Sequence, residues 1–238
     1  SDITEVKRLS EERKNLLLEM NHRIKNNLFT VEALAKIELS NSEKNKEESI
    51  RDIIGRVQAI SLVHQKLYST GNFTSIDAGG YLEDLGQTLT KAYSSDEQKI
   101  FLHSQVEGLR LSSKNISALG IIFVELMTNT RKHGGYAESC EICISLRGEG
   151  ANAVFEYRDN GVGFGDDVHS LDDVPSGSGI MLIQALIKEL GGEVEVMPKD
   201  SLRMEDEEPG DGSEHACSGV HLRFTFPLPT APAEDGEA

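Results

Sequence analysis

The chain has 238 residues, enough for one large or two modest domains, and 38% of them are hydrophobic, which suits an ordinary core. No apolar run is long enough to cross a membrane. The formal net charge of −16 argues against a nucleic-acid partner, because phosphate backbones are bound by clustered Lys and Arg. Three cysteines give no disulfide framework, so we expect a reducing, cytoplasmic setting.

Residues 1–72 show the apolar periodicity of two helices. The first stripe has spacings of three, four and seven and consists of Leu9, Leu16, Leu17, Met20, Ile24, Leu28, Val31 and Leu34. After a polar turn at 40–45, the second stripe consists of Ile50, Ile53, Ile54, Val57, Ile60, His64 and Leu67. A helical hairpin cannot cover its own stripes, so we expect two copies to form a four-helix bundle, and therefore a homodimer. The alternative is that the hairpin buries its stripe against a neighbouring domain. Because the helical pattern is present from the first residues, we also expect a further segment upstream of Ser1.

Residues 73–227 mix predicted helices and strands. Helices are predicted at 81–89, 114–132 and 179–190, and strands at 99–106, 140–147, 151–158, 193–197 and 219–226. This order predicts an α+β fold, an α/β sandwich with its helices on one face of a sheet. The acidic, Pro/Gly-rich stretch at about 198–218 indicates a loop insertion, and 228–238 a disordered tail.

His22 lies on the first predicted helix, nearly opposite the side chains of Met20, Ile24 and Leu28 at about 100° per residue. We therefore expect its imidazole to face solvent, where its neutral form can act as a nucleophile. On the pattern alone, an ordinary surface histidine remains the alternative.

Glu125, Asn129 and Lys132 are spaced four and three along the predicted helix 114–132, so they share one face. A carboxylate, an amide oxygen and a cation together can hold hydrated Mg²⁺ and phosphate oxygens. The alternative is a solvated helix face without a ligand.

Two glycine-rich loops are candidate ligand-binding segments. Asp159 ends a predicted strand and is followed by Gly161 and Gly163, which permit close backbone approach, while its carboxylate can accept from an exocyclic amine. Gly177 and Gly179 precede a predicted helix, whose free N-terminal amides attract anions. A plain turn and a helix-leading loop are the respective alternatives.

Together, these motifs resemble the ATP-binding domain shared by histidine kinases, type II topoisomerases, heat-shock chaperones and mismatch-repair ATPases. Residues 125–133 resemble its N box, 159–163 its first glycine box and 177–179 its second. Thr130 stands where that N box usually has Ala. Residues 22–28 (His-Arg-Ile-Lys-Asn-Asn-Leu) are similar to the phosphoacceptor box of the second histidine-kinase dimerisation family, and 56–68 to its second helix.

The resemblance implies the core of a sensor histidine kinase, with an upstream sensor domain. ATP would phosphorylate His22, and the phosphoryl group would pass to an aspartate of a response regulator receiver domain. The implied catalytic residues are His22 and Glu125, and Asn129 is the implied Mg²⁺ ligand. The implied nucleotide-binding residues are Asn129, Lys132, His133, Asp159, Gly161, Gly163, Gly177 and Gly179.

Two other functions compete with this interpretation. The segment 166–175 between the glycine boxes has no Lys or Arg to meet a γ-phosphate, which leaves open a catalytically weak, nucleotide-binding signalling scaffold. An ATPase of the chaperone or topoisomerase kind is disfavoured, because those proteins lack this helical hairpin.

Overall fold

The computed structural model describes residues 46–70, 75–95, 99–135, 139–165, 167–174, 178–198 and 219–228. The helices are α1 (Lys46–Thr70), α2 (Ala78–Tyr93), α3 (Ser113–His133) and α4 (Ser178–Glu189). The strands are β1 (Ser75–Asp77), β2 (Lys99–Val106), β3 (Arg110–Ser112), β4 (Ser139–Glu149), β5 (Asn152–Asp159), β6 (Glu193–Val196) and β7 (His221–Pro227). None of these helices is both long enough and apolar enough to span a membrane.

The main sheet has five strands in the order β2-β4-β5-β7-β6, with β2 parallel to β4 and the other pairs antiparallel. Alternate residues of β5 point to the helices, and Phe123 of α3 packs edge-on against Phe155 and Tyr157 at centroid distances of 6.2 and 6.3 Å. The apolar faces of α2, α3 and α4 complete the core on that side of the sheet. The predicted α+β sandwich is therefore confirmed.

The helix starts follow local capping. The Asp77 side chain accepts from the Gly79 N–H at 3.2 Å, and Ser112 Oγ accepts from the Asn115 N–H at 3.1 Å. The cap at Asp77 starts α2 at Ala78, three residues before the predicted start. The small β1–β3 pair that precedes these two helices was not predicted, because each strand has only three residues.

Helix α1 packs against the sandwich through a face that the predicted stripe only partly includes. Arg56, Ala59 and Val63 are buried there together with Ile60, and the Ala59 carbonyl accepts from the Tyr81 hydroxyl at 3.0 Å. The spacing of these four residues places them on one side of α1. Ile50, Ile54 and Val57 of the predicted stripe remain 57%, 48% and 42% exposed. Part of α1 is thus buried against the neighbouring domain, which is the alternative to dimer packing, because periodicity shows that a face is apolar and not what covers it.

Several predictions fall on other parts of the chain. The first predicted helix with His22, the insertion beyond Pro198 and the tail beyond Leu228 lie outside the described residues. At the predicted boundary with the tail, the Leu228 N–H donates to the Ala151 carbonyl at 2.9 Å.

Candidate functional site

The start of α4 meets the predicted ligand face of α3. A Cβ atom added to Gly179 would lie 2.9 Å from Glu125 Oε2 and 3.5 Å from Asn129 Oδ1. Glu125 is 2% exposed, whereas Asn129 and Lys132 are partly exposed and His133 is exposed. The structure thus brings Glu125, Asn129 and Gly179 together, and α4 can approach this closely only because residue 179 has no side chain.

Glu125 is engaged by a cation from α1. Arg56 donates through Nε to Glu125 Oε1 and through Nη2 to Oε2, the second bond at 2.9 Å. Both side chains are 3% exposed, so this is a buried, two-pronged ion pair. Both carboxylate oxygens already bind the guanidinium. In this arrangement Glu125 is therefore an ion-pair partner rather than a free base or metal ligand.

Asp159 ends β5 and lies in a shell of donors. Its Oδ2 accepts from the Thr130 hydroxyl at 2.6 Å, and its Oδ1 accepts from the backbone N–H groups of Gly161 at 3.0 Å and Val220 at 2.9 Å. Only 2% of Asp159 is exposed. Because α3 and two different loops supply these donors, the carboxylate is held in one orientation beside α3.

The loop after β5 is fastened to the end of α3. The Val162 N–H donates to the Gly134 carbonyl at 3.0 Å, and the Gly134 N–H closes the last helical turn by donating to the Thr130 carbonyl at 2.9 Å. Gly163 has φ of 72°, a left-handed conformation that favours glycine. These contacts place the first glycine loop against the same helix that carries Asn129.

The remaining predicted site residues lie at the end of α3, at the start of α4 or outside the described residues. Lys132 and His133 lie in the last turn of α3, within one turn of Asn129. Gly177 lies outside the described residues, as does His22, and Gly179 lies in the first turn of α4.

A cavity of about 290 Å³ adjoins the site at Gly219, and its lining includes Phe164, Val168 and Met197.

A separate ionic cluster lies on the opposite face of the sheet. Glu156 accepts from Arg147 at 3.0 Å and Arg158 at 2.9 Å, and its Oε2 lies 3.5 Å from His221 Nε2. Hydrogen bonding from His221, followed by the two arginines, holds the pKa of Glu156 well below its usual range against the opposing effect of burial. Since Glu156 and Tyr157 point to opposite faces of β5, we assign this cluster to sheet stability rather than to the site.

Sequence reasoning missed two contributors to the site. In the sequence Thr130 is only a departure from the usual Ala of the N box, whereas in the structure its hydroxyl donates to the buried Asp159 carboxylate. Arg56 has spacings of three, four and seven to Ala59, Ile60 and Val63, and these spacings are the one sequence signal that places it on their helix face. Neither partner could be identified from local sequence. The bond from Thr130 to Asp159 spans 29 positions along the chain, and the bond from Arg56 to Glu125 spans 69.

Two family models match consecutive parts of the chain. A histidine kinase model covers residues 19–93, and the model of histidine kinase-, DNA gyrase B- and HSP90-like ATPases covers residues 114–230. The first match includes His22 and helices α1 and α2, and the second includes every other predicted site residue.

Curated relatives are also histidine kinases. The sensor histidine kinase PdtaS of Mycolicibacterium smegmatis is 27% identical over 153 residues, which are 62% of this chain and 30% of that protein. Blue-light-activated histidine kinase 1 of Erythrobacter litoralis is 24% identical over 230 residues, 96% of this chain and 57% of the relative. The chain thus spans between about a third and just over half of the length of these relatives.

Solved structures support the fold. The histidine kinase domain of the Erythrobacter litoralis blue-light activated kinase matches with a TM-score of 0.58 and 17% identity, over 86% of this chain and 94% of that one. A longer chain of the same kinase gives a TM-score of 0.61 at 18% identity, over 90% of this chain and 63% of that one. Because the two family models match in order and together cover most of its length, the chain belongs to the histidine kinases and carries a histidine kinase segment followed by an ATP-binding domain.

Proposed function

We propose that this chain is an ATP-dependent protein-histidine kinase core that phosphorylates His22. The observation that carries the proposal is the convergence on α3: Asn129 lies beside Gly179, and the next residue, Thr130, bonds Asp159. An amide, a helix N-terminus and a buried carboxylate thereby meet within one turn of a helix. That arrangement suits a ligand with a phosphate end and an amine-bearing base end.

Each end of the nucleotide has a candidate partner. The buried Asp159 carboxylate accepts from the exocyclic amine of adenine, with the loop at Gly161 and Gly163 close to the base. The start of α4, which includes Gly179, offers N–H groups to the phosphates, because the first amides of a helix have no intrahelical acceptor. Gly177, two residues earlier in the sequence, stays a predicted phosphate-binding residue. Lys132 and His133 lie at the open end of α3, where they can approach phosphate oxygens.

Asn129 is the residue that we propose to hold Mg²⁺. Its side chain is partly exposed, its amide oxygen is a hard ligand, and both Glu125 oxygens are engaged by Arg56. No group of three or more His, Cys, Asp or Glu gathers as a metal site among the described residues. A single protein ligand fits Mg²⁺, which usually keeps waters and takes its other ligands from phosphates. When bound, the ion neutralises charge on the β- and γ-phosphates during transfer.

Glu125 can assist His22 only after Arg56 has released it. Arg56 lies on α1, the second helix of the predicted hairpin, so the ion pair couples the phosphoacceptor segment to the N box. A movement of α1 relative to α3 would expose the Glu125 carboxylate to the incoming imidazole, which must be neutral and oriented to attack phosphorus.

We further propose that the phosphoryl group passes from His22 to an aspartate of a response regulator receiver domain, and that the chain acts as a homodimer beside a sensor domain. The exposed Ile50, Ile54 and Val57 support dimerisation, since they form an apolar strip on the outer face of α1. The alternative, a catalytically weak signalling scaffold, gains no support from relatives named as kinases.

Incubation with γ-labelled ATP and Mg²⁺ tests the proposal. We expect acid-labile, base-stable label in the unmutated protein and none in His22→Ala, which should still bind nucleotide. A surface control, His103→Ala, should keep the label, because His103 lies on edge strand β2 and pairs with Glu141 at 2.7 Å. Full labelling of His22→Ala would refute the phosphoacceptor assignment, and release of free phosphate without labelled protein would indicate an ATPase.

A further inference from the structure

A chain of hydroxyl groups runs from the core to the site. Thr130 Oγ1 lies 2.7 Å from the Tyr157 hydroxyl and 2.6 Å from Asp159 Oδ2. Thr130 is 4% exposed, Tyr157 0% and Asp159 2%, so water does not compete for these contacts. The threonine belongs to α3 and the other two residues to β5, which makes this a bond between the helix layer and the sheet.

The direction of this chain follows from the donors available. An ionised carboxylate only accepts, so the single Thr130 proton goes to Asp159. The Thr130 oxygen must then accept from the Tyr157 O–H. Tyr157 therefore donates to Thr130, and Thr130 donates to Asp159. The Tyr157 ring packs in the core against Phe123, which fixes the start of this chain of hydrogen bonds.

Three donors occupy most of the acceptor positions of the Asp159 carboxylate. Oδ1 accepts from two backbone N–H groups, those of Gly161 and Val220, and Oδ2 accepts from Thr130. One acceptor position remains on Oδ2, the oxygen whose direction Thr130 fixes. Removal of the Thr130 hydroxyl would leave that oxygen without its protein donor.

We propose that Thr130 is a positioning residue that aims the free acceptor of Asp159 Oδ2 at the base, and so sets the preference for a purine with an amine at position 6. This inference rests on the proposed role of Asp159 in adenine binding. A base with a carbonyl at that position presents a second acceptor to the carboxylate and is rejected, because two acceptors facing each other in a buried site remain unpaired.

The test compares ADP with IDP, which carries a carbonyl in place of the amine, by isothermal titration calorimetry on the full chain. Thr130→Val keeps the shape and loses the donor, whereas Thr130→Ser keeps the hydroxyl. We expect Thr130→Val to weaken ADP binding about tenfold with little change for IDP, and Thr130→Ser to retain most of the preference. Tyr157→Phe keeps the bond from Thr130 to Asp159, so it should keep the preference even where its melting temperature falls.

Asp159→Asn in parallel separates the two claims. If Asp159→Asn loses ADP affinity while Thr130→Val retains the full ADP preference, the positioning role of Thr130 is refuted and the role of Asp159 stands. If Asp159→Asn binds ADP normally, the proposed function of Asp159 fails and the inference fails with it. Equal losses of ADP and IDP affinity in Thr130→Val, together with a lower melting temperature, would show a structural role and overturn the inference.

Discussion

Replacement of Arg56 by Met should destabilise the protein severely. The side chains of Arg56 and Glu125 are each 3% exposed and form two hydrogen bonds between α1 and α3. Removal of the guanidinium leaves the Glu125 carboxylate buried without its cation, and breaking a buried pair in this way costs about 3–5 kcal/mol. Because a domain of this size is stable by only about 5–15 kcal/mol, Arg56→Met should lower the free energy of unfolding by a large fraction.

A double-mutant cycle distinguishes the ion pair from simple packing. Glu125→Met alone should also destabilise, whereas Arg56→Met with Glu125→Met removes both charges and should recover about 2 kcal/mol or more of the summed single losses. The measurement is urea denaturation at one protein concentration near pH 7, with the midpoint and slope fitted for each variant.

Lys66→Met provides a matched control on the same helix. Lys66 pairs with Asp84 of α2, but its side chain is 28% exposed and that of Asp84 50%, so the loss should stay below about 1 kcal/mol. A loss below about 1 kcal/mol for Arg56→Met as well, or additive effects in the cycle, would refute the view that α1 is held to the domain by a buried ion pair.

Three further predictions concern the site and the sheet. Asn129→Ala should melt normally but lose Mg²⁺-dependent phosphorylation of His22, and a native rate would contradict its assignment as metal ligand. Gly179→Ala should destabilise by about 1–3 kcal/mol and weaken nucleotide binding, because its Cβ would lie 2.9 Å from Glu125 Oε2, whereas Gly108→Ala has its nearest neighbour at 3.6 Å and should be tolerated. The pKa of Glu156 is lower in the folded state than in the unfolded state. The ionised carboxylate therefore stabilises the fold above the unfolded pKa near 4.5, and this stabilisation is lost progressively as the pH falls from 4.5 toward the folded-state pKa. The stability difference between the unmutated protein and Glu156→Gln should therefore shrink between pH 6 and pH 3, and a constant difference in urea unfolding would count against the cluster.

Periodicity and motif order predicted most of the sandwich. Strand β2 has its predicted bounds, α3 and α4 differ from theirs by one residue at each end, and β4, β5, β6 and β7 differ by two residues or fewer. The bounds of such segments can be predicted because a helix or strand with one buried face has apolar residues at its own regular spacing. The missed strands β1 and β3 are too short to show a repeat, and they exist because they pair with each other across the chain.

The sequence alone also predicted which residues carry chemistry, because Asn129, Asp159 and the glycines stand in motifs whose residue types suit phosphate, metal and base. Tertiary structure decided how those residues are held. Arg56 pairs with Glu125 and Thr130 bonds Asp159 only because folding brings α1 to α3 and α3 to β5. The burial of Ala59 and Val63, which the apolar stripe did not include, has the same origin. A local pattern shows that a side chain needs a partner, but the partner of a buried charge or hydroxyl is set by contacts between distant segments, and these exist only in the folded chain.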